Sequence, residues 1–242
     1  MPNIKIAIFN LSTVLTDEQV RQAVPALQTQ ITRDFAPVWG VDGELVFIPH
    51  GTRPPPETWW LGVFDDSDVA GALGYHDLTP EGRPLGKVFA ATDLHFGHSW
   101  TVTMSHELLE MLADPDVNLT VFVQNSASTG RLYAYESCDA CEAEQFAYTI
   151  DGTLVSDFVH PSWFQPQAHR GTRFDHAGQI KAPLELLPGG YIGVFDLVGG
   201  GWTQLTPAGA RLAYTDRPRV GSRRERRRTP RDQWLLSTVE TA

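Results

Sequence analysis

The stretch WTVTMSHELLEMLADP, residues 100–115, decides the fold. From Trp100 to Ala113 it contains neither Gly nor Pro and is rich in helix formers. It stops at Asp114-Pro115, because proline disfavours helical geometry in the residue before it. A helix is therefore predicted over 100–113. Residues four apart share a helix face, so His106 and Glu110 can address one ion, with Glu107 beside them about 100° round. The neighbours Met104, Leu108, Leu109, Met111 and Leu112 predict burial of this helix. A buried histidine with two carboxylates is costly without a cation or other partners, so the helix points to a divalent-metal site.

Working outward, KIAIFN (5–10) reads as a buried strand, and Thr16-Asp17-Glu18-Gln19 has capping-box spacing before a second helix. Val20, Val24, Leu27, Ile31 and Phe35 give that helix one apolar stripe, which Pro37 and Gly40 end. GELVFIP and TWWLGVFD are strand-like on either side of a proline-rich turn, and GALGYHD with GKVFAAT forms a ribbon. After the metal helix come the strands LTVFVQN and LYAYES, then a hairpin around Asp151-Gly152. The segment DLHFGH, with His95 and His98, reads as a polar loop entering the helix. The fold class is α+β: a mixed sheet, an active-site helix and an irregular, β-rich C-terminal extension. Residues 1–160 form the expected metal-binding domain, 161–215 a Gly/Pro/aromatic-rich extension and 216–242 an Arg-rich tail.

The metal shell needs more ligands, and Tyr135-Glu136-Ser137-Cys138-Asp139-Ala140-Cys141-Glu142 is the next acidic cluster. Glu136, Asp139 and Glu142 are all eligible, and spacing does not choose among them. Asp114 and Asp116 are further options, although Asp114 can equally cap the helix end. Both cysteines of the chain lie in this loop as a single C-x-x-C, without the second pair a four-thiolate site requires. The acidic neighbours Asp139 and Glu142 work against a low-pKa redox thiolate.

His106-Glu107-x-x-Glu110 resembles the H-E-x-x-H helix of the zincin metallopeptidases, with a carboxylate in place of the second imidazole. The order strand, helix, strand, strand, ribbon and metal helix resembles the N-terminal half of that fold, in which substrate lies along an edge strand beside the helix. The resemblance implies a metal-dependent hydrolase, a zinc peptidase acting on a peptide or protein substrate. Glu107 would be the general base, and His106, Glu110 and an acidic residue from 136–142 the ligands. Ser105-His106-Glu107-x-x-Glu110-x-x-x-Asp114-Pro115, followed by Glu136-x-x-Asp139-x-Cys141-Glu142, is similar to a pattern in plant exordium, or phosphate-induced, proteins over about forty residues. Zinc is the first expectation; the carboxylate-rich set also suits Mn2+ or Ca2+. The alternative is a non-enzymatic protein with a structural zinc or calcium site and an interaction surface.

Charge bounds the partners. The formal net charge is -10, yet 216–232 carries eight Arg against Asp216, Glu225 and Asp232, a local +5 that leaves -15 elsewhere. Such an acidic body argues against general nucleic-acid binding. The Arg-rich segment reads as a solvated arm that could touch RNA, anionic lipid or an acidic partner. No apolar run reaches the roughly 18 residues of a membrane span, and the N-terminus lacks a secretory pattern, so a cytoplasmic location is expected.

Overall fold

The structure is a computed structural model and describes residues 4–207 except 69–71, 125, 127 and 168. The Arg-rich tail expected at 216–242 lies outside the described residues. The chain is α+β, built on a five-stranded mixed sheet. Its strands are β1 (Ile4–Asn10), β2 (Gly43–Ile48), β3 (Trp59–Phe64), β4 (Gly74–Leu78) and β5 (Pro84–Phe89), in the order β2-β1-β3-β5-β4. All pairings are parallel except β4 with β5, so the ribbon expected from GALGYHD and GKVFAAT supplies an antiparallel edge strand.

After β1, helix α1 (Asp17–Thr29) starts with the capping box foreseen at Thr16 and Gln19. Helical backbone continues through a π-type turn, Gln30–Phe35, into α2 (Ala36–Trp39). Gly40, at φ +71°, ends it in a conformation that costs a residue with a side chain far more. Val20, Leu27, Ile31 and Phe35 bury their stripe against Ile6, Ile8, Leu61 and Val63, alternate residues that share one face of the sheet.

A seven-residue helix, α3 (Ala90–Phe96), follows β5 directly, and Gly97 closes it with left-handed geometry. Residues 93–96, expected in a loop, are thus helical; their seven-residue helix is too short to show a periodic stripe. Helix α4 (Trp100–Ala113) has the bounds its sequence predicts, and every residue from Val102 to Ala113 is buried. Leu108, Leu109, Met104 and Met111 are fully covered, each contributing about 1.5–3 kcal/mol by leaving water. The backbone N–H of Ser99 at the start of α4 donates to the Glu144 carboxylate at 2.6 Å, placing negative charge at the helix N-terminus. At the other end the Asp114 carboxylate accepts from the backbone N–H groups of Asn118 and Leu119. Asp114 is the cap weighed above, and Asp116 is exposed.

A second sheet has the order β11-β10-β7-β6, all antiparallel: β6 (Thr120–Gln124), β7 (Gly130–Ala134), β10 (Ile192–Asp196) and β11 (Trp202–Leu205). It draws strands from both sides of residue 160 and has its own core around Trp163, Phe164, Ile192 and Val194. The hairpin of β8 (Tyr148–Ile150) and β9 (Thr153–Val155) turns at Asp151-Gly152 and packs against α4. Among the described residues no helix is long and apolar enough to cross a membrane.

Candidate metal centre

The buried helix α4 brings His106, Glu107 and Glu110 to one place, and the loop after β7 brings the acidic cluster to meet them. His106 Nε2 lies 3.3 Å from Glu110 Oε2 and 3.3 Å from Asp139 Oδ1. Four ligands on a tetrahedral ion with bonds of about 2.1 Å stand roughly 3.4 Å apart, so these separations suit one ion's shell. Glu142, at the half-buried rim, joins His106 and Asp139 in a group whose ligand atoms lie within 4.8 Å of one another. The donor set, imidazole with carboxylates, is chemically suited to a divalent cation. Buried His, Glu and Asp groups that could hold a metal ion are therefore present where the sequence places them.

The structure adds a residue that the sequence reading passed over. His76, in the middle of edge strand β4, is buried against α4. Its Nδ1 is 3.7 Å from Glu107 Oε2 and 3.6 Å from Glu110 Oε2, and its Nε2 is 3.7 Å from Glu136 Oε2. His76, Glu110 and Glu136 form a second group of ligand atoms within 4.8 Å of one another, all three buried. The three acidic loop residues are thus divided: Asp139 and Glu142 with His106, Glu136 with His76. A signal was present in the sequence, since Gly74, His76 and Leu78 alternate onto one face of β4, and a histidine on an inward face calls for a partner.

Neighbours fix the arrangement. Glu110 Oε1 accepts the backbone N–H of Cys138 at 3.1 Å, leaving Oε2 toward both histidines. The loop carrying Asp139 is a 3-10 turn, Asp139–Cys141, and the C-terminal extension pins it: Leu187 N–H donates to the Ala140 carbonyl and Tyr191 N–H to that of Asp139, each at 3.0 Å. On the other side, a Cβ on Gly74 would sit 2.8 Å from the Glu107 carboxylate and from the Lys87 carbonyl oxygen, so the edge strand can approach Glu107 only with glycine there. Behind the helix, Ser105 Oγ donates to Gln30 Oε1 at 2.7 Å and accepts from Ser156 N–H at 3.0 Å, while Gln30 Nε2 donates to the Ser156 carbonyl.

The electrostatics follow from crowding charges in a dry place. Burial by itself would lower the His106 pKa, but Glu110 and Asp139 outweigh it and hold the imidazole well above its ordinary value. Burial raises Glu110, and the charge of His106 reverses that, to about 2. Asp139 is pushed up to about 6, by burial first and then by Glu110. Burial also raises the Cys138 and Cys141 thiols, which are both free, so neither is a ready thiolate.

Other residues weighed from the sequence lie elsewhere. His98 Nδ1 is 3.8 Å from Glu144, and His95 packs on Phe96. The Tyr148 hydroxyl is committed to Asp34, and Tyr135 packs between Trp39 and Phe164. Comparison with protein-family models, with curated proteins and with solved structures finds no match to this chain.

Proposed function

We propose that this protein is a metal-dependent hydrolase of zincin-like type, a zinc peptidase in which His106, Glu110 and Asp139 hold the ion and Glu107 is the general base. The observation that carries this reading is the convergence of Glu110 and Asp139 on one nitrogen of His106, with Glu107 adjacent on the same helix. The strand order, with an antiparallel edge strand against α4, supports it too, because the zincin resemblance calls for such an edge beside the metal helix. A divalent ion bound there would lower the pKa of a water and polarise a carbonyl.

The chain's own residues supply the rest. Glu107 takes the proton of the attacking water, and His76, 3.7 Å away, faces the carboxylate that receives it. His106, whose side chain keeps 11% of its exposure, and half-buried Glu142 stand on the side from which solvent and substrate reach the centre. Glu107→Gln should retain the ion and reduce peptide hydrolysis at least 100-fold. Unchanged turnover would remove Glu107 from its role.

A second reading rests on the burial of Glu110, Glu136 and Asp139, each no more than 4% exposed. A closed, fully protein-ligated site is the mark of a structural ion, zinc or calcium. Under that reading metal removal unfolds the chain and no hydrolysis accompanies metal binding.

A further inference from the structure

We infer that the centre takes two divalent cations, not one, bridged by Glu110: the first on His106, Asp139 and Glu142, the second on His76 and Glu136. This deepens the proposed function and rests on its reading of the site as a metal centre. Two ligand groups, each with one histidine and two carboxylates, come from different elements: edge strand β4, helix α4 and the loop after β7.

Glu110 is a member of the His76 group and also reaches the histidine of the other. Its Oε2 is 3.3 Å from His106 Nε2 and 3.6 Å from His76 Nδ1, while Oε1 is occupied by the Cys138 backbone N–H. One carboxylate oxygen fixed and the other turned toward two imidazoles is the arrangement of a bridging ligand. Paired-metal hydrolytic sites hold their ions about 3.5–4 Å apart, a span that one bridging oxygen enforces.

Charge balance favours two ions over one. Glu107, Glu110, Glu136 and Asp139 are buried together with two histidines, which bind metal as neutral imidazoles. With Glu142, the rim ligand of the first ion, the cluster holds five carboxylates, so one divalent ion leaves a charge of -3, whereas two bring it to -1.

The test strips the full-length chain with chelator, reloads it with excess Zn2+, desalts it and counts metal per chain by mass spectrometry, with Mn2+-loaded wild type examined in parallel by electron paramagnetic resonance. The expected result is two ions per wild-type chain, one per His76→Gln chain, and an exchange-coupled Mn2+ spectrum in place of an isolated six-line signal. One ion per chain, whatever His76→Gln does to it, overturns the pair while leaving the proposed function standing. Two uncoupled ions overturn the bridge, and two ions that persist in His76→Gln overturn the assignment of the second. No bound metal overturns both readings. Should His76→Gln fail to fold, the wild-type count and spectrum decide alone.

Discussion

Ser105→Ala tests how helix α4 is held. Ser105 is fully buried, one residue before His106, and its hydroxyl makes two hydrogen bonds, one to Gln30 Oε1 and one from Ser156 N–H. Alanine removes the hydroxyl and leaves both of those groups buried without it. Each orphaned group costs about 1–3 kcal/mol, so the variant should lose roughly 2–5 kcal/mol. For a chain of this size, where 1 kcal/mol moves Tm by about 2–4 °C, the midpoint should fall by roughly 4–20 °C. Thermal unfolding followed by circular dichroism measures this, and urea unfolding with an unchanged m-value shows that stability alone has moved. Because the two residues share one bond, Gln30→Met combined with Ser105→Ala should cost less than the two single changes summed. A loss under about 1 kcal/mol, or simple additivity, would refute the closed network.

Three further outcomes follow from named contacts. Asp157, buried and facing Asp175, has its pKa raised from 3.8 to about 8, by burial first and then by Asp175. The native state therefore keeps a proton that the unfolded chain loses, so stability falls as pH rises from about 4 through about 8. Asp157→Asn should remove that slope and raise Tm by several degrees at pH 8.5 relative to wild type; parallel Tm-against-pH curves would count against the raised carboxyl. Gly74→Ala puts a methyl 2.8 Å from the Glu107 carboxylate and from the Lys87 backbone oxygen. It should cost about 1–3 kcal/mol of stability and depress turnover more than metal content, and full activity would show that Glu107 is not confined by the strand. The Cys138 and Cys141 thiols should resist a disulfide exchange reagent at pH 8 in the native chain and both react in denaturant; rapid native reaction would contradict their burial.

Much of this fold is written locally. Helix α4 is legible because fourteen residues lack breakers and meet Asp114-Pro115, and α1 because Thr16 and Gln19 announce its first turn. The edge ribbon and the Asp151-Gly152 hairpin are legible from their turns. Pairings between distant segments are not: β7 lies beside β10 some sixty residues later, and no periodicity records that choice. The same limit governs the site. His106 and Glu110 carry their geometry in a four-residue spacing, whereas His76 reaches them only because β4 is the strand packed on α4. The choice of Asp139 for His106 and of Glu136 for His76 depends on a 3-10 turn held by Leu187 and Tyr191, residues of an extension whose sequence shows no ligand pattern.

The central claim is that a divalent ion sits among His106, Glu110 and Asp139. Crystals of the full chain grown with Zn2+ and measured on both sides of the zinc absorption edge test it most directly. The account predicts an anomalous peak about 2.1 Å from His106 Nε2 with Glu110 and Asp139 oxygens in its shell. An anomalous map with no peak there, or with zinc only at surface histidines such as His95 or His169, would contradict it.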